Sequence, residues 1–315
     1  GKDSVALFEC EGWSAVRSFP VATEDLADLR WSPDSAVLCV IDTVLQYQVL
    51  FYSPDGVCLH TYRPYDHALG VKSFCWSPGG RYLALGSFDE KVRLLNHLTW
   101  RRIAEVDHPS DVRASDFPDA VCYVEPPDST SGALADNGDG NALAVAGPPG
   151  GQKRQAAGPA GYVATRPPLT VPTMPPSLEL VASPRQGVGL LQWSAAGRFL
   201  ASRSDVMPCA LWIWDASTFG LHAVLLQQQP VTAIAWHPRH ELLAVCSGTA
   251  KLFLWSPGGC RTAPMPGESN FRVSEMEWSP TGGALLLLDR ERFCMCFLAG
   301  DGEDPAAADA GSQAA

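Results

Sequence analysis

Trp76-Ser77-Pro78-Gly79-Gly80-Arg81-Tyr82-Leu83-Ala84-Leu85-Gly86-Ser87 is the stretch on which the reading of this chain turns. An aromatic anchor, a Ser-Pro-Gly-Gly turn and an apolar run of strand length together spell two antiparallel strands joined tightly. Versions of the anchor recur as Trp31-Ser32-Pro33, Trp193-Ser194-Ala195, Trp236-His237-Pro238 and Trp278-Ser279-Pro280. Their spacings are 45, 117, 43 and 42 residues. About twenty residues after each anchor another strand ends near an aromatic residue or leucine, at Tyr52, Leu95, Trp214, Trp255 and Phe297.

A period of roughly 40–45 residues, built of four short strands, predicts an all-β WD40 propeller. Each blade is covered on both faces by its neighbours, so its inner strands read as near-continuous apolar runs and no blade is stable alone. Full blades are predicted over Leu26–Arg63, Val71–Val106, Val188–Leu226 and Val231–Pro264. Partial blades flank them. Two strands, Ser4–Cys10 and Ser14–Phe19, come first, and three, Val273–Trp278, Ala284–Asp289 and Phe293–Leu298, come last. That is 21 strands, where a seven-bladed ring has about 28. The expectation is a parent ring of seven or more blades whose amino-terminal blades are absent from this chain.

The 117-residue spacing holds one repeat plus an insertion. Residues 125–186 contain eleven prolines and eight glycines among 62 positions, a composition that buries too little apolar surface to offset its ordering entropy. The predicted organisation is therefore propeller blades over 1–122, a largely disordered Pro/Gly/Ala-rich loop over 123–186, further blades over 187–299 and a disordered acidic tail over 300–315. Val121–Glu125 and Tyr162–Thr165 read as short strands lying on the propeller. Because the insertion follows an outer strand and precedes an inner one, it is expected to emerge at the face that carries the Asp89 turn and to border a partner surface.

The formal charge is −11 in 315 residues. It sits in the loops: 107–141 carries −7 and 301–315 carries −4. This balance disfavours nucleic acid or an anionic membrane as the main partner, and no apolar run approaches the length of a membrane helix. None of the ten cysteines forms Cys-x-x-Cys, so they read as reduced structural thiols of a cytoplasmic protein. No phosphate-cradling loop, nucleophile elbow or paired-histidine motif is present. No catalytic, cofactor-binding or metal-ligating residue is predicted, and no cofactor. Arg101-Arg102 after Trp100 reads as a solvated basic strand face.

The polar residues that the pattern singles out are structural. His67 stands nine residues before Trp76 and is followed by Ser87 and Asp89, which suggests a buried histidine–serine–aspartate network with Leu95 at its tryptophan position. Trp214-Asp215 is the one literal Trp-Asp pair. The blade network is thus predicted at His67, Ser87, Asp89, Trp214 and Asp215, and the blade anchors at Trp31, Trp76, Trp193, Trp236 and Trp278.

Three stretches go beyond a generic repeat: Leu45 to Gly56 (LQYQVLFYSPDG), Leu69 to Pro78 (LGVKSFCWSP), and Leu83 to Trp100, which ends Leu95-Asn96-His97-Leu98-Thr99-Trp100 where most repeats have Trp-Asp. With Ala210 to Asp215, Leu252 to Cys260 and Phe293 to Leu298, they resemble the WD repeat-containing protein 8 family of centrosomal and spindle-pole WD40 proteins. The likeness spans about 1–125 and 185–299. It implies a non-enzymatic scaffold, a monomeric subunit of a hetero-complex at the centrosome, microtubule-organising centre or spindle pole. Its implied partners are a coiled-coil microtubule-anchoring protein and, in fungi, a minus-end-directed kinesin. Its implied roles are microtubule anchoring, spindle organisation and cilium assembly. The alternative is a substrate receptor of a ubiquitin ligase, for which Trp214-Asp215-Ala216-Ser217 lacks the arginine of the usual Trp-Asp-x-Arg.

Overall fold

A computed structural model describes residues 3–66, 69–126, 162–175, 185–265 and 271–297. Its regular elements are all strands. A hairpin of β1 (Ser4–Phe8) and β2 (Ala15–Pro20) comes first. Blade A follows as β3 (Asp28–Trp31), β4 (Leu38–Ile41), β5 (Val49–Tyr52) and β6 (Cys58–Tyr62). Blade B is β7 (Val71–Trp76), β8 (Tyr82–Ser87), β9 (Lys91–Asn96) and β10 (Arg102–Asp107). The insertion contributes β11 (Asp111–Val112), β12 (Val121–Val124), β13 (Val163–Thr165) and β14 (Leu169–Thr170). Blade C is β15 (Val188–Trp193), β16 (Phe199–Ser204), β17 (Ala210–Asp215) and β18 (Gly220–Leu226). Blade D is β19 (Ala233–Trp236), β20 (Leu243–Cys246), β21 (Lys251–Ser256) and β22 (Gly259–Pro264). Blade E has three strands, β23 (Glu275–Trp278), β24 (Ala284–Leu288) and β25 (Phe293–Phe297).

The five anchors occupy one place in five blades. Each ends the first strand of its sheet and faces a leucine on the second: Trp31 with Leu38, Trp76 with Leu83, Trp193 with Leu200, Trp236 with Leu243 and Trp278 with Leu285. The serine that follows four of them is explained by the turn. Ser32, Ser77, Ser194 and Ser279 each accept, at Oγ, the backbone N–H five residues on, at 3.0–3.1 Å. The residue four past each of those tryptophans then has positive φ: Ser35 (58°), Gly80 (68°), Gly197 (70°) and Gly282 (82°). Glycine suits that position because it has no Cβ to clash. Blade D solves the turn differently: His237 Nδ1 accepts the N–H groups of Arg239 and His240 at 3.1 and 3.0 Å.

Neighbouring blades are tied by a repeated bond. The indole N–H of Trp193, Trp236 and Trp278 donates to the carbonyl of Cys75, Gln192 and Ala235, at 3.3, 3.1 and 3.0 Å, in each case the residue before the previous blade's anchor. Apolar burial is correspondingly layered rather than central. One cluster joins A to B through Phe51, Phe74 and Leu83, and another joins B to C through Val92, Leu94, Trp193 and Trp212. A third joins C to D through Phe199, Trp236 and Trp255, and a fourth D to E through Cys246, Trp278 and Leu287. β7 lies against β15, β15 against β19, and β19 against β23, so the first strands share the inner side of the stack. Trp31 is 39% exposed, in a groove that it shares with Leu7 and Phe8 of β1. In the last blade the register places Cys296, not Phe297, at the position of Leu95, Trp214 and Trp255. Phe297 points outward.

The expected boundary between residues 122 and 123 falls inside β12. The two expected short strands form as β12 and β13, and β12 pairs in parallel with β18 and antiparallel with β13, making a six-stranded sheet. Most of the predicted loop, 127–161 and 176–184, and the tail from 298 lie outside the described residues. The ten cysteines are free, and burial pushes the Cys75 and Cys246 thiols up to about 12, the signature of inert core sulfur.

Candidate protein-interaction face

In an antiparallel meander successive turns lie at opposite ends of the sheet. The Ser77–Gly80 turn is therefore at one end of blade B and the Phe88–Glu90 turn at the other, where β10 also finishes. The insertion departs from that second end. His108 fixes the departure by donating from Nδ1 to the Glu90 carbonyl at 3.0 Å. Gly187 fixes the return: its φ is +88°, and a Cβ there would stand 2.6 Å from Phe88 Cα. Val124 faces Val163, so the chain leaves β12 and re-enters β13 at the same end. Met174 N–H then donates to the Val206 carbonyl, in the blade C turn of that end, at 2.6 Å. Glu125 secures the exit. Its buried carboxylate accepts Gln228 N–H at 2.9 Å and pairs with Lys251 of blade D at 3.5 Å. The described parts of the insertion are thus bound to blades B, C and D on the side that carries the Asp89 turn.

Two buried polar networks stiffen this end, and they include Ser87, Asp89 and Trp214 of the predicted residues. His67 lies outside the described residues. In blade B, Ser87 and Asp89 are joined through Arg93, which is 2% exposed in the middle of β9. Its guanidinium reaches Asp89 at 2.6 Å, Glu105 at 3.0 Å, and the hydroxyls of Ser87 and Tyr47 at 3.2 Å each. The rings of Tyr47 and Tyr65 lie 5.3 and 5.2 Å from its Cζ, and Tyr65 donates its hydroxyl to Asp89. Burial acts to raise the Asp89 carboxyl, but hydrogen bonds from Arg93 and Tyr65 outweigh it and hold the group below its ordinary value. Burial also pushes the Tyr47 phenol up to about 12.

In blade C, Trp214 donates to Ser202 Oγ at 2.7 Å, and Ser202 meets His108 Nε2 at 2.8 Å. With His108 Nδ1–H given to Glu90, every polar atom of this chain of bonds is satisfied by a neutral imidazole. Burial holds His108 at about 4. Asp215 stands outside the network. It accepts the Ser217 N–H at 2.8 Å and caps a turn. His108, Ser202 and Arg93 were not anticipated. An arginine within Val92-Arg93-Leu94-Leu95 was a usable signal, since an apolar strand admits a charge only when it is paired.

The stretch Leu95-Asn96-His97-Leu98-Thr99-Trp100 forms the opposite end of blade B. Asn96 Oδ1 accepts the N–H groups of Leu98 and Thr99 at 2.9 and 3.1 Å. Trp100, at φ +57°, stacks on Phe51 of blade A with ring centroids 4.0 Å apart. These residues are architectural. Among the described residues no group of three or more His, Cys, Asp or Glu side chains is placed to hold a metal, and no helix is long and apolar enough to cross a membrane.

The "WD domain, G-beta repeat" family model matches residues 56–96 and 218–256. The chain thus carries WD40 repeats in an all-β fold. It is 40% identical over 297 residues, 94% of its length, to WD repeat-containing protein WRAP73 of Mus musculus, for which WD repeat-containing protein 8 is another name. An uncharacterised WD repeat-containing protein of Schizosaccharomyces pombe is 22% identical over 88% of the chain. The chain spans 62% of the mouse relative's length and 54% of the yeast one's. Among solved structures, the crystal structure of the mitotic checkpoint complex contains a chain that superposes with a TM-score of 0.55 at 13% identity, covering 94% of this chain and 71% of that one. That likeness concerns the fold. The chain is thus similar to WRAP73 along nearly its whole length.

Proposed function

We propose that this WD40 chain is a non-catalytic scaffold of the microtubule-organising centre. In this reading it docks a coiled-coil microtubule-anchoring partner at the turn-bearing end bordered by the insertion, in support of microtubule anchoring, spindle organisation and, in ciliated cells, cilium assembly. The observation that carries the placement is the triple fastening of the insertion at His108, Glu125 and Gly187. A loop of this size on a stiff frame is where propellers present binding residues. The homology to WRAP73 over nearly the whole chain supports the choice of partner class.

The test is a deletion. Removing 126–184 entire would take out Tyr162, β13 and β14, and buried Val171 with them. Deleting 127–161 alone, bridged by a short Gly-Ser linker, spares all of these. Proximity labelling in dividing cells should enrich a coiled-coil protein of the microtubule-organising centre with the parent chain. The deletion should lose that enrichment while keeping its melting temperature. Equal enrichment from the deletion would refute the placement. Enrichment of cullin adaptors in place of such a protein would favour the ubiquitin-ligase reading.

A further inference from the structure

On the same end of the stack, between blades B and C, lies a cavity of about 510 Å³ with unusual charge for so acidic a chain. Among the described residues, Lys72, Arg185 and Arg203 line it against one carboxylate, that of Asp205. Its charged groups are organised rather than scattered. Lys72 Nζ sits 2.6 Å from Asp205 and 2.9 Å from the Gln186 carbonyl, and 5.0 Å from the Phe88 ring centroid. Arg203 pairs with the other Asp205 oxygen at 3.1 Å and donates to the Val231 carbonyl. Both cations are largely buried, with side chains 10% and 20% exposed, whereas Arg185 is exposed at the rim. The remaining wall is apolar: Met174 from the insertion, and Pro208 and Pro230 from the turns of blade C and its connection to blade D.

We propose that this cavity binds an acidic peptide segment, with an Asp or Glu carboxylate of a protein partner entering between Arg185 and the Lys72–Arg203 pair and its apolar neighbour resting on Met174 and the prolines. Among the described residues three cations face one carboxylate in this lining, and Arg185 is the cation that stands exposed at its mouth. The low-dielectric wall strengthens the attraction of those charges for an anion. Guanidinium groups are well matched to carboxylate geometry. That the anion belongs to a protein rests on the scaffold reading above.

The test is fluorescence anisotropy on the whole chain with a labelled glutamate-rich peptide that contains one leucine. A lysine-rich peptide, inorganic phosphate and a single-stranded RNA of equal charge serve as competitors. Arg185→Glu and Met174→Glu are the informative variants, because both side chains are exposed and neither holds a blade together. The acidic peptide should bind saturably and weaken as salt rises, and each variant should weaken it about tenfold, because each sets a new carboxylate against the incoming one. Unchanged affinity in both variants, absence of binding, or equal competition by phosphate or RNA would overturn the inference. The outcomes separate it from the scaffold reading. If the peptide fails while the coiled-coil partner is still captured, only the pocket is lost; if the peptide binds and no such partner is captured, only the scaffold reading is.

Discussion

Blades B and C meet the same structural demand with opposite chemistry. Each must tie its second and third strands together at the turn-bearing end, under a layer that excludes water. Blade C does so with neutral groups, Trp214 to Ser202 to His108, ending on the Glu90 carbonyl. Blade B does so with an ion, Arg93, held by two carboxylates and by the hydroxyls of Ser87 and Tyr47. The fold therefore requires satisfied buried polar links rather than a particular quartet of residues. The two solutions also fail differently, because a buried neutral bond lost leaves a modest debt and a buried charge left unpaired does not.

The largest effect follows from breaking the charged solution. Arg93→Ala should destabilise the chain by about 3–5 kcal/mol, since Asp89, Glu105 and the Tyr47 hydroxyl all lose a partner at once. Urea unfolding measures this. Arg93→Lys should recover only part of it, because an ammonium cannot span both carboxylates in a fork. A loss below about 1 kcal/mol for Arg93→Ala would show that water replaces the guanidinium and that blade B is not closed by charge.

Breaking the neutral solution should cost less. His108→Ala should lose about 1–3 kcal/mol, the range for a buried hydroxyl left without its acceptor, by the same unfolding measurement. Acid separates the two blades without mutation. His108 is held near 4 in the fold, while a free imidazole titrates near about 6.5. The unfolded chain takes up that proton first, so the stabilisation is complete above the unfolded value and declines as pH falls from there toward 4. Burial lowers His222 and His237 also, so the global decline has several contributors. Asp89 is held below its ordinary 3.8, and its contribution persists until the pH drops beneath that. Hydrogen exchange at pH 5 should accordingly show amides around Ser202 losing protection while those around Arg93 keep theirs. Simultaneous loss would mean that the blades open as one unit.

The contrast also marks how far the amino-acid sequence can be read. The anchors are legible because each Trp-Ser-Pro turn is built from neighbours: the serine hydroxyl bonds an N–H only five residues away. The blade C histidine is not, because the insertion places His108 94 residues before the serine it meets. A histidine sought nine residues before Trp193 falls at Pro184. The signal that was available is a histidine closing the outer strand just before a long insertion. Strands β12 and β13 were visible as apolar islands, but the parallel pairing of β12 with β18 depends on contacts across a hundred residues that no local pattern records.

The smallest expected effect tests whether the joints between blades differ as their interiors do. Trp193 gives its indole N–H to blade B, at the Cys75 carbonyl. The equivalent bond from Trp76 to blade A is missing, and its buried Nε1 has no partner. The joint is made in reverse, by Arg30 donating to the Phe74 carbonyl at 2.8 Å, with Trp76 packed edge-on against Trp100. Replacing either tryptophan with phenylalanine removes similar apolar area, so the difference between the two variants isolates the indole bond. Trp193→Phe should be the more destabilising by about 1 kcal/mol, read from the shift in urea midpoint at equal slope. Equal losses would mean that the repeated tryptophan-to-carbonyl link adds nothing beyond packing, and that it is shape alone that sets one blade against the next.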